Sequence, residues 1–221
     1  MTGVPASRDD LLLRARRLAG RTLGAVAEDL AIDLAADTVR TKGKFGALLE
    51  RVLGATGTGA ARDFPEIEVE LKTVPIGSRG PLESTYVCHL PLADADRAAW
   101  PTSWARAKLA CVLWIPIWAE DADWRRRKIG RPLLWAPTPE QDAVLAHDFD
   151  EIVGAIGAGH VEGLTARTGR WLQLRPKAAH GGVRTTIRGA DGEVVSTVPK
   201  GLYLRARFTG AILRDPGACP E

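Results

Sequence analysis

An aspartate, a glutamate and a lysine lie close together in the segment Asp63-Phe-Pro-Glu-Ile-Glu-Val-Glu70-Leu-Lys72. Six residues separate Asp63 from the Glu-x-Lys triplet that ends the segment. Two carboxylates can hold Mg²⁺, and a lysine beside them can orient or help to deprotonate a water molecule. Because the metal ion draws charge from a phosphate, these groups together are those needed to hydrolyse a phosphodiester. The segment therefore predicts a site for metal-dependent hydrolysis.

Apolar and polar residues alternate from Ile67 to Val74, which predicts a half-buried strand. Side chains two residues apart on a strand point to the same side, so we expect Glu70 and Lys72 to project together from one face. The apolar residues expected to anchor the other face are Ile67, Val69 and Leu71. Taken alone, such a pattern is more often an ordinary strand with a solvated face, because short motifs also occur by chance.

The composition is that of a soluble globular protein. The chain has 221 residues, of which 45% are hydrophobic and 26% charged, and its net charge is +3. Its three cysteines form no close pair, which favours a reducing cytosol over a disulfide framework. No apolar stretch approaches the length of a transmembrane helix, and the N-terminus lacks the form of a signal peptide. We therefore expect a cytoplasmic protein that does not bind a membrane.

Other chemistries have little support in the sequence. There is no Gly-x-Ser-x-Gly elbow of a serine hydrolase, and the four histidines lack the spacing of a zinc site. The glycine-rich stretch from Gly54 to Gly59 lacks the Gly-Lys-Ser/Thr ending of a phosphate-binding loop, so we interpret it as a linker.

The periodicity along the chain predicts a mixed α/β fold, with helices packed on a mixed sheet. The predicted helices run from a Ser7 cap to Gly20 and then over Leu23–Leu34, Gly43–Leu53, Trp104–Ala110 and Pro139–Ile156, with a last helix after Gly201. The further predicted strands are Ser84–Leu90, Cys111–Ile117 and Trp171–Leu174, and we expect a basic loop over His180–Gly192.

Glu50 is an acidic residue within the apolar helix predicted over Gly43–Leu53. It has two interpretations at this point. Either it lies at the edge of the apolar face and reaches solvent, or it lines a polar cavity beside a metal ion.

An ordered set of short blocks extends these features along nearly the whole chain, from Leu11 to Leu213. The blocks are Gly46-Ala-Leu-Leu-Glu50, Asp63, Val69-Glu70-Leu-Lys72-Thr73, Pro81-Leu-Glu83-Ser-Thr-Tyr86-Val-Cys88, Lys108-Leu109, Val112-Leu-Trp-Ile-Pro116, Gly130-x-Pro-Leu-Leu-Trp135, Arg175-Pro-Lys177-Ala178 and Gly201-x-Tyr203-Leu204. In this order they resemble the MutH family of mismatch-repair endonucleases, which are relatives of restriction enzymes that cut at GATC.

The resemblance implies a restriction-endonuclease-like fold, in which a mixed β-sheet flanked by helices forms two lobes around a DNA cleft. One domain would span residues 1–221, with a catalytic lobe at roughly 40–118 and DNA-reading elements mainly at 170–213. The implied activity is Mg²⁺-dependent nicking, with Mn²⁺ able to substitute, 5′ to the G on the unmethylated strand of a hemimethylated GATC site. The implied partners are double-stranded DNA, MutL as activator and MutS indirectly.

The resemblance also assigns roles to residues of the predicted site. Asp63 and Glu70 match the metal-binding carboxylates, with the carbonyl of Leu71 as a further ligand. The residues that match catalytic positions are Asp63, Glu70, Lys72, Lys108 and Glu50. Arg175 and Lys177 match a base-contacting Arg-Pro-Lys segment, and Tyr203 matches a tyrosine tied to the sensing of adenine methylation. The positions that match further DNA contacts are Lys42, Glu83 and Tyr86.

The chain departs from the family pattern at three places, one of which is the tail after Leu213, where Pro216 prevents a helix from continuing. The family's Lys-Gly-Trp is replaced by Lys42-Gly43-Lys44-Phe45, and the segment from His180 to Asp191 is unusually rich in glycine. Two alternatives to the repair nickase therefore stay open. One is a restriction-type enzyme that cuts GATC without a repair partner, and the other is a catalytically inactive relative that only binds DNA.

Overall fold

A computed structural model describes residues 3–32, 42–58, 62–93, 95–160, 163–164, 168–178, 182–189 and 191–220. The chain forms two compact units. The first unit comprises Met1–Glu83 and Ala110–Ala136, and the second comprises Ser84–Leu109 and Pro137–Glu221. Both units contain helices packed on strands, which confirms the prediction of a mixed α/β fold.

Six α-helices and nine strands lie within the described residues. The helices are α1 (Arg8–Leu18), α2 (Leu23–Asp29), α3 (Lys42–Leu53), α4 (Trp104–Leu109), α5 (Pro139–Gly157) and α6 (Ala206–Arg214). The strands are β1 (Glu70–Gly77), β2 (Gly80–Pro81), β3 (Thr85–Leu90), β4 (Val112–Trp118), β5 (Leu133–Trp135), β6 (Leu172–Pro176), β7 (Thr185–Arg188), β8 (Val194–Thr197) and β9 (Lys200–Leu204).

The sheet of the first unit has the strand order β2-β1-β4-β5. β1 runs parallel to β4, with Glu70 opposite Val112 and Lys72 opposite Trp114. Leu113, Ile115 and Ile117, on one face of β4, belong to a hydrophobic core that also contains buried residues of α1, α2 and α3. Because successive strand residues point to opposite faces, Glu70 and Lys72 lie on the sheet face that turns away from these helices.

The ends of the N-terminal helices follow local capping. The side chain of Ser7 accepts a hydrogen bond from the backbone N–H of Asp10, which confirms the predicted cap of α1. α2 ends at Asp29 rather than at Leu34, since Ala31 takes up a left-handed conformation with φ of 51°. The end of the predicted helix, at Leu34, lies outside the described residues.

The strand predicted from Ile67 begins later than expected. Pro65–Ile67 forms a 3₁₀ turn, and Glu68 is left-handed with φ of 58°, so the regular strand starts at Glu70. Phe64 and Val69 exchange two backbone hydrogen bonds, of 3.0 and 3.1 Å, which close the turn between them. The alternation of residues before Glu70 therefore reflects a turn, and Ile67 does not share a strand face with Val69 and Leu71.

The second unit is built on an antiparallel sheet with the strand order β3-β9-β6, and β7 and β8 form a separate hairpin. α5 packs against β6 and begins with a capping box, in which Thr138 and Gln141 each bond to the backbone of the other. The last helix, α6, follows Gly201 as predicted, while Gly201 itself lies inside the central strand β9, which was not predicted. One prediction was wrong in part, because the strand β7 lies within the loop predicted over His180–Gly192.

No helix in the described part of the chain is long and apolar enough to cross a membrane. Cys88 and Cys111 are buried, as expected of small apolar side chains, whereas Cys219 is exposed.

Candidate active site

Glu70 and Lys72 form an ion pair at the start of β1. Lys72 Nζ lies 2.7 Å from Glu70 Oε1, and the two side chains are only 15% and 2% exposed. Their spacing of two residues puts both groups on the sheet face that turns away from α1, α2 and α3. A carboxylate and an ammonium group therefore lie together in a largely buried position on one strand.

Asp63 is tied to the same strand by a hydrogen bond. Its Oδ2 accepts the backbone N–H of Leu71 at 2.7 Å. The backbone N–H of Glu70 bonds to Cys111, on the side of β4, so the N–H and C=O of Leu71 point to the opposite edge of β1. The carbonyl of Leu71 and the carboxylate of Asp63 thus lie on the same edge of the strand that carries Glu70.

The backbone around Asp63 is held by a close approach of two segments. The N–H groups of Thr56 and Gly57 donate to the carbonyl of Asp63 at 3.1 and 3.0 Å. A Cβ atom at Gly57 would lie 1.9 Å from the carbonyl oxygen of Arg62, so only glycine fits here. The stretch interpreted from sequence as a plain linker therefore also positions Asp63.

Glu50 lies on α3, and this helix packs against β1. It is half-buried, whereas its helix neighbours Leu48, Leu49 and Leu53 are buried in the core. A Cβ atom at Gly46, one turn earlier, would lie 3.5 Å from Glu50 Oε1. This is an ordinary van der Waals distance, so the Glu50 carboxylate folds back toward Gly46 without requiring a glycine there. The catalytic role of Glu50 stays a prediction.

Three further residues have predicted catalytic or DNA-binding roles, namely Lys108, Lys42 and Glu83. Lys108 is on α4 in the second unit, with its Nζ 5.7 Å from the centre of the Trp104 ring. Lys42 is the first residue of α3, but its side chain lies outside the described part of the chain. Glu83 is half-buried and ends the first segment of the first unit. The roles of these residues remain predictions.

Four residues predicted to contact DNA come together on one face of the β3-β9-β6 sheet. Tyr86 on β3 is directly opposite Tyr203 on β9, and their rings meet edge to face with centres 5.3 Å apart. Arg175 Cζ lies 5.7 Å from the centre of the Tyr203 ring, and Lys177 Nζ lies 4.6 Å from that of Tyr86. Two aromatic rings, each with a cation over it, therefore form a single cluster.

Gly201 leaves space for this cluster. A Cβ atom there would lie 2.9 Å from Cε2 of Tyr86 and 3.3 Å from Cβ of Lys177. The lack of a side chain on the central strand thus lets Tyr86 and the stem of Lys177 pack directly on its backbone.

Asp148 is a buried acid that sequence reasoning missed. Together with His147 and Glu151 it places possible metal ligand atoms within 4.8 Å of one another. Its carboxylate, however, accepts the backbone N–H groups of Arg170, Trp171 and Leu172 at 2.7, 2.6 and 2.8 Å. We therefore assign Asp148 to holding the start of β6. The signal in the sequence was its helical spacing, three residues after Leu145 and four before Ile152, which puts it on the buried face of α5.

Gln173 is a second residue that sequence reasoning missed. It is only 4% exposed, and its Nε2 donates to Ser84 Oγ at 2.7 Å. It lies opposite Tyr203, on the face that carries the aromatic cluster. Its place in the apolar run Trp171–Leu174 gave only the signal of a buried strand.

Comparison with known proteins supports the resemblance found in the sequence. A family model described as the DNA mismatch repair enzyme MutH matches residues 53–148. The chain is 45% identical over 212 residues to the DNA mismatch repair protein MutH of Serratia proteamaculans, which covers 95% of this chain and 93% of the relative. It is 46% identical over 212 residues to the MutH protein of Enterobacter sp. strain 638, and the match covers 95% of this chain and 92% of the relative. It is 44% identical over 214 residues to the MutH protein of Haemophilus influenzae strain 86-028NP, and this match covers 96% of both chains.

These matches confirm the predictions of a restriction-endonuclease-like fold and of a DNA mismatch repair endonuclease. The chain therefore belongs to the MutH family of DNA mismatch repair enzymes.

Proposed function

We propose that this chain nicks the unmethylated strand of hemimethylated GATC sites, 5′ to the G, in a reaction that requires Mg²⁺. The observation that supports this most directly is the arrangement at the start of β1. There the Asp63 carboxylate bonds to Leu71, while the neighbouring Glu70 pairs with Lys72 at 2.7 Å. The carboxylates, the carbonyl and the lysine of the proposed reaction are thus carried by two short stretches of chain.

The donor set suits magnesium. The carboxylates of Asp63 and Glu70 and the carbonyl of Leu71 are all oxygen donors, which Mg²⁺ and Mn²⁺ prefer over nitrogen and sulfur donors. These three groups would hold the ion, which when bound supplies a positive charge that stabilises the phosphate as it is attacked. Glu70 is 2% exposed, so its carboxylate needs close polar partners; Lys72 is one at 2.7 Å, and a bound Mg²⁺ would be another.

Lys72 is the residue best placed to act on the attacking water. Its ammonium group is held 2.7 Å from the Glu70 carboxylate and is only 15% exposed, so it has little freedom to swing away. We propose that it orients this water and, through its positive charge, helps the water to lose its proton to the solvent. In the same proposal Lys108 is the second catalytic lysine, and Glu50 supports the site from α3.

The aromatic cluster of the second unit supports a role in reading DNA. In this proposal Arg175 and Lys177 bond to guanine, whose two acceptors in the major groove suit a cationic donor. The N6-methyl group of adenine lies in the same groove, so the Tyr203 ring could reject it by contact. The proposed further DNA contacts are Lys42, Glu83 and Tyr86.

The proposed activity is one step of DNA mismatch repair. MutL would activate the nickase and MutS would act indirectly, through detection of the mismatch. One Glu-x-Lys centre per chain suits nicking, because cutting both strands needs two centres. Such work on chromosomal DNA would take place in the cytoplasm.

The proposal is tested with supercoiled plasmid that carries unmethylated, hemimethylated or fully methylated GATC sites. We expect slow conversion to open circle with Mg²⁺, restriction of the nicks to unmethylated strands, and no nicks with EDTA. The Glu70→Gln protein, prepared in parallel, controls for contaminating nucleases. Added MutL should strongly stimulate nicking, whereas efficient cutting of both strands without MutL would indicate a restriction-type enzyme. Binding without strand breaks under any condition would contradict catalysis.

A further inference from the structure

Gln173 is a buried residue on the sheet face that carries the aromatic cluster. The adjacent residues on this face are more accessible, since Tyr86 and Tyr203 are half-buried and Arg175 is exposed. Gln173 is only 4% exposed, and its Nε2 donates to Ser84 Oγ at 2.7 Å. A buried amide of this kind needs a partner, and Ser84 provides it.

This hydrogen bond connects the two outer strands of the sheet. Gln173 belongs to β6, and Ser84 immediately precedes β3, but each of these strands pairs only with β9 in the described sheet. The bond must therefore cross over β9. Tyr86, Tyr203 and Gln173 form one row across the three strands, and Ser84 lies two residues before Tyr86.

The bond thus passes beside the base of the Tyr203 side chain. The Tyr86 ring packs against Tyr203 from β3, with ring centres 5.3 Å apart. Gln173 lies opposite Tyr203 on β6, and its hydrogen bond prevents it from leaving this position. Tyr203 is therefore flanked on both sides, which restricts rotation of its side chain.

We propose that Gln173 and Ser84 form a positioning pair that holds Tyr203 rigid and thereby sets the discrimination against methylated adenine. This rests on the proposed function, in which Tyr203 senses the methyl group. A ring can reject a methyl group by contact only if it cannot turn aside. A contact with one methyl group changes the ratio of rates on two substrates by about 10–200-fold. Because this ratio is limited, a small loss of rigidity in the ring lowers the selectivity measurably.

The test compares the single-turnover rate constant for cleavage, divided by the protein concentration that gives half the maximal rate, on two duplexes. One duplex has an unmethylated GATC site and the other a fully methylated site. The variants are Gln173→Leu, Ser84→Ala and the double variant. We expect each single change to lower the ratio of the two values by roughly five- to tenfold, the effect of one lost side-chain hydrogen bond. The double variant should show no further loss, because both changes break the same bond.

Two controls separate positioning from general stability. Ser84→Thr keeps the hydroxyl group and should retain the selectivity of the unaltered protein. Ser196→Ala removes an exposed serine from β8 and should leave the ratio unchanged. Thermal unfolding of each protein verifies folding, and if Gln173→Leu does not fold, the pair Ser84→Ala and Ser84→Thr decides the question.

The outcomes distinguish this proposal from the proposed function. Selectivity in the unaltered protein together with an unchanged ratio in the variants would overturn the positioning role alone. Losses that add up in the double variant would refute the coupling of the two residues. An unaltered protein that cuts both substrates equally, or neither, would refute the proposed function and this inference with it.

Discussion

The carboxylate of Asp63 accepts the backbone N–H of Leu71 at 2.7 Å, which ties a loop residue to the strand that carries Glu70. A hydrogen bond to a charged acceptor is stronger than one between neutral groups. It is formed at the edge of β1 that faces away from β4, where the N–H of Leu71 would otherwise lack a strand partner. Asp63 therefore has a structural role in addition to its proposed role as a metal ligand.

Substitution of Asp63 should separate these two roles. Asp63→Asn keeps an oxygen that can accept the Leu71 N–H, so we expect nearly normal stability but loss of Mg²⁺-dependent nicking. Asp63→Ala removes the acceptor as well and should lower the free energy of unfolding by about 1–3 kcal/mol. Urea unfolding and the plasmid assay measure the two effects. Equal stability of the two variants would show that the hydrogen bond contributes nothing.

Glu70→Gln should abolish nicking while leaving DNA binding largely intact, since it removes a proposed metal ligand and not a phosphate contact. Loss of a residue behind a metal ligand lowers activity by about 10–100-fold, so loss of a ligand itself should exceed 100-fold. Glu68→Gln is the matched control, because Glu68 lies two residues earlier and its side chain is 64% exposed. Plasmid nicking and fluorescence anisotropy on a GATC duplex provide the readouts. Activity of Glu70→Gln above a few per cent of normal would contradict the assignment.

Arg175→Ala should weaken the discrimination of GATC from altered sites by roughly 1–3 kcal/mol for each lost base contact. The exposed guanidinium lies over the Tyr203 ring, with its Cζ 5.7 Å from the ring centre. Binding constants for matched and single-substituted duplexes, measured at several salt concentrations, distinguish two kinds of contact. A change confined to the salt dependence would identify Arg175 as a phosphate contact instead.

Asp148→Asn should destabilise the second unit. The carboxylate accepts three backbone N–H groups at the start of β6, and an amide offers only one acceptor oxygen for them. We expect a loss of about 2–4 kcal/mol in the free energy of unfolding, measured with urea. Asp150→Asn, on an exposed position of the same helix, is the control. A stability unchanged by Asp148→Asn but raised by divalent cations in the unaltered protein would indicate a metal site there.

Alkaline pH should reveal the burial of Cys111. Burial raises the pKa of this thiol, so it stays protonated in the folded chain when an unfolded thiol, with a pKa of about 8.5, has begun to ionise. Its contribution to stability is therefore complete below that pH and is lost as the pH rises above it. We expect the urea midpoint to fall between pH 8 and 9.5, and to fall less in Cys111→Ala. Identical pH profiles would refute this effect.

The sequence pattern was sufficient for features that depend on neighbouring residues. Capping of α1 by Ser7 follows from a side chain that bonds to an N–H group within the first turn. The spacing of Glu70 and Lys72 requires that both lie on one face of a strand, and the ion pair is found there. The ordered blocks along the chain were likewise sufficient to identify the family.

Features that depend on contacts distant in sequence could not be predicted in this way. β9 was missed because its backbone bonds go to β3 and β6, the former more than a hundred residues away. The same holds for Asp148 and Gln173, whose partners lie on other elements. Pairing of this kind depends on the packing of the whole unit, so it cannot be predicted from the propensities of neighbouring residues.

The sequence by itself therefore determined the family of this protein and the proposed catalytic residues, through the residue types in Asp63 to Lys72 and their spacing. Only the tertiary structure decided which backbone groups hold those residues and which strands bring Tyr86, Arg175, Lys177 and Tyr203 together. The physical reason is that side-chain type and local spacing are properties of short segments. A cluster drawn from three strands exists only once long-range pairing has closed the sheet.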